Sequence, residues 1–445
     1  MKQSMKRLLT AGLIFTMFAV LLAACGGGGT NTTDNNSGQT TDNPDKPFAG
    51  KKLSIVTANH PWGDAIKEML PEFEASTGMK VDVQSFFEDQ LAQKLTVQMT
   101  AGSVTPDVFM YSPLQQAKLF VKNGWIYPLD DYAKKEAAYD FDDFSKASVG
   151  SNMIDGKLYG IPIITEQHIL YYRKDLLQQA GIAVPKTMDE LLAAAQKLHD
   201  PKKEIYGFAA RGQRSPLVSQ ISSFIYSEGG DFMKDDKATI NTPEAIKGMT
   251  TYATLLRDYG PPGVLNMSWP QAIGVFAQGK AAFFADANSL FKNATDPEKS
   301  KIADQVGFAV FPAGKEGSQP FNITSWGLAM NAKAENKDAA WAFIQWASSK
   351  EIVLLTQQKG NPGARMSVWD NPEGITAFPK ELAEVTKETQ KGGVDHSLPP
   401  VDKVSEARDI IGAIVQKSIS GEDIKAAAEQ ANKEFQVLID KEKGK

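Results

Sequence analysis

The sequence predicts a two-lobed α/β protein, and three observations carry that expectation. Short runs of β-forming residues alternate with amphipathic helical stretches along most of the 445-residue chain, the pattern of helices packed on sheets. The foldable part begins near Phe48 and runs for roughly 400 residues, too many for one hydrophobic core and natural for two. No repeat of about 20–50 residues stands out, so a solenoid or propeller is not expected.

In chain order, strands are expected at residues 53–57, 81–85, 107–111, 159–164, 205–209, 281–285, 306–311 and 326–330. Between the first two, Ile66, Met69, Leu70 and Phe73 recur at helical spacing. Thr187-Met188-Asp189-Glu190 has the form of a capping box, opening a helix that carries Leu191, Leu192, Ala195 and Leu198. Thr242-Pro243 reads as an N-cap with proline at the first helical position, followed by Ile246, Met249, Ala253 and Leu256. A last helix shows Ile424, Ala428, Ala431, Phe435 and Leu438 on one face. These stripes are core-facing surfaces.

Ahead of the body, Lys2, Lys6 and Arg7 form a positive segment, and residues 8–24 carry no charge. That stretch is short for a membrane span, which needs about 20 apolar residues, and fits the apolar region of a signal peptide. It closes on Leu22-Ala23-Ala24-Cys25-Gly26, which resembles the lipobox of bacterial lipoproteins. The resemblance implies removal of residues 1–24 and acylation of Cys25. Cys25 is the only cysteine, and an exported chain has no disulfide use for one unpaired thiol. Residues 26–47 hold Gly, Thr, Asn, Asp and Ser with nothing apolar to bury, so residues 25–50 are expected to be the lipid anchor and a solvated tether. The tether is similar to the spacers of Gram-positive lipoproteins, and the expected location is the extracellular face of the cell membrane.

Losing three basic residues with the leader takes 48 Lys and Arg to 45, against 53 Asp and Glu, a balance of −8. That excess of acid, with no basic cluster, argues against nucleic acid as a partner. The chain has no HExxH, no Gly-x-Ser-x-Gly, no phosphate loop and no cysteine pair for zinc. His60, His168, His199 and His396 lack ligand spacing, so no cofactor and no metal are expected. Carboxylates are plentiful, but no spacing marks a glycosidase pair. An enzyme of that class, lipid-anchored, stays open as a rival.

Several segments resemble the family 1 extracellular solute-binding proteins of carbohydrate ABC importers. They are Asp155-Gly156-Lys157-Leu158-Tyr159-Gly160-Ile161-Pro162, Tyr171-Tyr172-Arg173-Lys174-Asp175-Leu176-Leu177, and Phe276-Ala277-Gln278-Gly279-Lys280-Ala281-Ala282-Phe283. Trp326-Gly327-Leu328-Ala329-Met330 and a helix with Ala339-Ala340-Trp341-Ala342-Phe343-Ile344 complete the set in the same order. Asp258-Tyr259-Gly260-Pro261-Pro262-Gly263 further resembles the branch handling polyols and small sugars. The resemblance implies a type II periplasmic-binding-protein-like fold with three interlobe crossings, near residues 164–168, 320–327 and 364–370. One lobe would combine residues 51–163 with 327–366, the other 168–322 with 370–445. The implied function is capture of a carbohydrate or polyol in the interlobe cleft, by a monomer, and delivery to ABC permease subunits. The same fold binding a non-sugar solute, or serving as a sensor subunit, is the alternative.

A sugar or polyol calls for carboxylates, amides and guanidinium groups against its hydroxyls and aromatics against its C–H faces. The resemblance places ligand contacts at Asn59 and Trp62 after the first strand, with a turn role competing for Asn59. Glu88 follows the second strand, where a helix-start acid is the alternative, and Tyr111 ends the third, where core packing competes. Glu166 sits at the first crossing, for a ligand hydroxyl or an interlobe salt bridge. Arg211 leaves an apolar strand, Asp286 closes another, and Trp326 opens the strand at the second crossing. Arg365 lies at the third, where pairing with a neighbouring acid competes with binding.

The anchor reading is tested by labelling cells with a fatty acid. Cys25→Ala is expected to abolish incorporation, and equal labelling of wild type and variant would refute it.

Overall fold

The computed structural model describes residues 46–444. The expected signal peptide, Cys25 and the tether up to residue 45 lie outside the described residues. The chain meets the body at Phe48, whose amide donates to the Thr77 carbonyl at 3.0 Å.

Among the described residues twelve strands are formed: β1 (Lys52–Ala58), β2 (Lys80–Phe86), β3 (Val108–Tyr111), β4 (Met153–Ile154), β5 (Lys157–Leu158), β6 (Ile161–Arg173), β7 (Tyr206–Ala209), β8 (Met233–Lys234), β9 (Lys237–Ala238), β10 (Ala281–Ala287), β11 (Val306–Val310) and β12 (Asn322–Met330). Eight make one sheet in the order β2-β1-β3-β12-β6-β10-β7, with β11 also on β6. β1 runs parallel to both β2 and β3, and β7 parallel to β10. β12 and β6 are antiparallel to each other and to their other neighbours.

β6 ties the sheet together. Its first half pairs with β12 through Gln167, and its second half pairs with β10 and β11 from His168 onward. The sequence suggested a strand ending at residue 164, because Thr165-Glu166-Gln167-His168 interrupts the apolar run. The strand continues through that quartet, since Thr165, Gln167 and His168 are fully buried and need the ladder bonds.

Three apolar clusters cover the sheet. One joins Ile55, Phe109, Ile163, Leu328 and Phe343. A second joins Phe208, Phe224, Tyr252, Phe283 and Phe435. The third joins Tyr171, Phe276, Phe284, Trp369 and Leu382. Helix Met188–Leu198 opens with the expected capping box, Thr187 and Glu190 bonding reciprocally. Helix Pro243–Tyr259 opens with Thr242 accepting from the Ala245 amide. Helix Ile424–Glu442 buries Ala428, Ala431, Phe435 and Leu438. Among the described residues, no helix is long and apolar enough to cross a membrane.

The loop at 393–396 is zipped to the body by backbone bonds of Val394 to Pro320 and Asn322. Ser151 Oγ donates to the Asp395 carbonyl at 2.8 Å. His396 faces Asp395 at 3.0 Å, Asp231 at 3.2 Å and the Tyr226 ring at 5.2 Å. Burial disfavours the imidazolium, but the two carboxylates outweigh it and raise the His396 pKa from 6.5 to about 9. A group whose pKa rises on folding stabilises fully below its unfolded value. Its contribution of at most about 3 kcal/mol is then lost as pH climbs through the folded one. The urea midpoint of the wild type is therefore expected to fall between pH 6.5 and 9. His396→Gln should flatten that slope, and an unchanged slope in the variant would refute the assignment.

Candidate functional site

Open α/β sheets offer a site beyond the carboxyl ends of their parallel strands. Here β1, β2, β7 and β10 end there, near the middle of β6.

Arg211 follows β7, and Asp286 lies near the end of β10. The β7–β10 register pairs Phe283 with Phe208 and Phe284 with Ala209. Continued by two residues, it sets Arg211 beside Asp286. The guanidinium donates twice, Nε to Oδ2 at 2.8 Å and Nη2 to Oδ1 at 2.5 Å. Asp286 also accepts from Gln220 Nε2 at 3.2 Å and from the Ala287 amide at 2.7 Å. Its side chain is fully buried, whereas that of Arg211 is 16% exposed. Asp286, expected as a ligand contact, is engaged here by Arg211, Gln220 and the Ala287 amide. Burial works against the Arg211 charge, and Asp286 more than offsets it.

Glu166, on β6, is half-buried and accepts from Ser289 Oγ at 2.7 Å. Burial pushes its carboxyl above the usual range; the Ser289 bond and Arg211 oppose this, while Asp286 and Glu88 add to it. Glu88 is exposed at the first turn of helix Glu88–Thr100, and its charge acts on both Glu166 and Arg408. Arg408 was not anticipated. It lies on helix Val404–Ile419, with Nε donating to the Ser215 carbonyl at 3.0 Å, within electrostatic reach of Arg211. Glu88, Glu166, Arg211, Asp286 and Arg408 therefore converge from five elements.

Trp326 is half-buried beside a β-bulge. Thr324 pairs with Thr165 and Trp326 with Ile164, so Ser325 is the inserted residue that re-aims the strand. Asn59 is exposed after β1, because the helix that follows is capped by His60, whose Nδ1 accepts from the Trp62 amide at 3.1 Å. Burial lowers the His60 pKa to about 4, against the pull of Asp64, which keeps the accepting lone pair.

Three expected contacts are corrected. Trp62 is 1% exposed and packs with Ile66 and Phe73 in the core, since the capped first turn carries it inward. Tyr111 is fully buried, and its hydroxyl donates to Asn152 Oδ1 at 2.9 Å. Arg365 is fully buried. Its Nε donates to the Ser348 carbonyl at 2.7 Å, Nη1 to that of Asp140 at 2.9 Å and Nη2 to that of Tyr139 at 2.8 Å. Asp143 lies 3.4 Å away, and the guanidinium stacks over the Phe144 ring at 4.2 Å. Arg365 is a structural clasp.

Among the described residues, no group of three or more His, Cys, Asp or Glu is arranged to hold a metal ion. His168 lies among Phe224, Phe311 and Phe321, where burial, aided by Arg211, takes its pKa down to about 3.

The architecture matches that of a ribitol complex of an ABC-transporter solute-binding protein from Agrobacterium radiobacter K84. The TM-score is 0.76 and the identity 30%, over 88% of this chain and all of that one. The mannitol-binding protein of Pseudomonas aeruginosa is 30% identical over 71% of this chain and 73% of its own. The erythritol/L-threitol-binding protein of Mycolicibacterium smegmatis is 26% identical over 84% and 83%. Residues 58–353 match the family described as bacterial extracellular solute-binding protein. The chain has the α/β periplasmic-binding-protein fold and belongs to the bacterial extracellular solute-binding proteins, a family of transport receptors and not of enzymes.

Proposed function

We propose that the chain captures a linear polyol or small sugar and passes it to the permease subunits of an ABC importer, held at the cell surface by a lipid on Cys25. The observation that carries this is the mixed set gathered around the middle of β6: Glu88 and Glu166 can accept, and Arg211, with Arg408 nearby, can donate. A neutral polyhydroxylated solute uses both kinds of group along its length. A phosphate or carboxylate would instead call for cations alone or bare helix N-termini. The relatives named for mannitol, erythritol and ribitol support the same class of solute. In this reading, residues 51–163 with 327–366 and 168–322 with 370–445 are two lobes joined by three crossings. They close on the solute by a hinge motion. Arg211, Glu166 and Glu88 contact it directly, Trp326 and Asn59 line the rim, and Asp286 acts through Arg211.

A thermal-shift screen of D-mannitol, ribitol, erythritol and maltose tests the solute class. Solute at 100 times its dissociation constant adds about 2.7 kcal/mol to stability, a clear shift. At least one polyol is expected to give it, with little dependence on salt. A response confined to anionic solutes would overturn the proposal.

Titration calorimetry with the best solute tests the residues. Losing a hydrogen bond from a charged group costs roughly 1.5–3 kcal/mol, so Arg211→Ala should weaken binding about tenfold to 150-fold. Asp286→Ala should approach it by freeing the guanidinium. Tyr111→Phe should leave affinity within about twofold, as its hydroxyl serves Asn152. Wild-type affinity in Arg211→Ala would remove Arg211 from the site.

A further inference from the structure

Arg211 opens a loop, residues 211–216, that is gripped from two sides. On one side, the Met267 carbonyl accepts from the amides of Gly212 and Gln213, both at 2.9 Å. Gly212 is required there, because a Cβ on it would lie 2.2 Å from the Val264 carbonyl oxygen. Tyr252 Oη donates to the Arg211 carbonyl at 2.6 Å.

The other side is one face of helix Val404–Ile419. Arg408 Nε bonds the Ser215 carbonyl at 3.0 Å, and Gln416 Nε2 bonds the Gly212 carbonyl at 3.0 Å and that of Leu265 at 3.2 Å. Between them sits Gly412, where a Cβ would lie 1.9 Å from the Arg214 carbonyl oxygen. Residues 408, 412 and 416 fall at i, i+4 and i+8, so three successive turns hold one loop. A glycine inside a helix is destabilising relative to alanine. Its presence here is explained by the approach of the Arg214 backbone.

We propose that Arg408, Gly412 and Gln416 form a positioning element for Arg211, with Gly412 and Gln416 setting solute affinity through the loop that aims the guanidinium. This rests on the reading that Arg211 contacts the solute.

The test compares Gly412→Ala, which pushes the loop away, with Gln416→Ala, which removes the bonds to the Gly212 and Leu265 carbonyls and the one its Oε1 accepts from Arg214 Nε at 3.3 Å, and adds no volume. Affinity is measured by calorimetry with whichever of D-mannitol and ribitol the wild type binds. Hydrogen exchange of residues 211–216 is followed on unliganded protein. Gly412→Ala is expected to weaken binding at least tenfold. Gln416→Ala should weaken it about threefold to tenfold. Both should exchange faster at 211–216 while keeping wild-type far-UV circular dichroism. A purely structural role would lower the unfolding midpoint and leave the affinity of folded protein unchanged; that result overturns the proposal, as does unaltered exchange at 211–216. If Gly412→Ala does not fold, Gln416→Ala decides alone. A wild type that binds neither polyol would count against the proposed function, while the exchange measurement still judges the positioning of the loop.

Discussion

Gln167 is fully buried midway along β6, and its amide groups are met by other buried polar side chains. Asn288 Oδ1 accepts from the Gln167 amide at 3.0 Å, and Asn288 Nδ2 donates back to Gln167 Oε1 at 2.5 Å. Gln167 Nε2 donates to Asn322 Oδ1 at 3.3 Å, and Asn322 Nδ2 to the Gly392 carbonyl at 3.0 Å. Two residues away along the pair, Thr165 bonds the Pro362 carbonyl, and Thr324 Oγ1 bonds that of Ser148 at 2.7 Å. An unmet buried donor or acceptor costs about 1–3 kcal/mol. This polar band therefore dictates which distant segments meet at the middle of the sheet. An apolar centre would pack several ways; a hydrogen-bonded one has a single solution that satisfies its members. Glu166 stands between Thr165 and Gln167, so the same constraint that assembles the chain also fixes the carboxylate proposed for the centre of the site.

The Arg211–Asp286 pair extends this logic into the site. Removing two charges from water is costly, and attraction between them offsets that cost only with good geometry and further hydrogen bonds. Asp286 has both: the bidentate arginine, Gln220 and its neighbour's amide. Its return is orientation more than stability. A guanidinium is a planar fork, and one edge held by Asp286 leaves the other pointing in a defined direction before any solute arrives.

Local features were legible in the sequence. The Thr187 capping box and the Thr242-Pro243 helix start depend on neighbours three residues away, and both form. Each expected strand coincides with an observed one. The boundary of β6 was not legible, because Thr165 to His168 are polar, and only their long-range partners make them strand. Among the candidate site residues, positions after or within apolar runs singled out Arg211 and Glu166, which the fold brings within electrostatic reach of each other. They misled at Trp62 and Tyr111, where side-chain direction is set by His60 and by Asn152. At Arg365 the competing expectation of an acid partner is matched by Asp143, while the three carbonyls it also serves carry no sequence signature. Arg408 lies in a charged helix that reads as a solvated face. The mid-helix Gly412 was the one clue that this face is approached closely.

The charges at the site come unequally from the sheet's two sides. Arg211, Asp286 and Arg408 sit beside β7, β10 and the helix packed on them, held by named bonds. Glu88 comes from the end of β2, exposed at a helix start. Three carboxylates face two guanidinium groups, one more acid than base, and Asp286 and Arg211 offset each other as a bidentate pair. In the proposed reading a neutral polyol accepts from Arg211 and donates to Glu166 and Glu88. Under the proposed reading, hydroxyl groups suit this mixture of acceptors and donors because each can donate and accept at once.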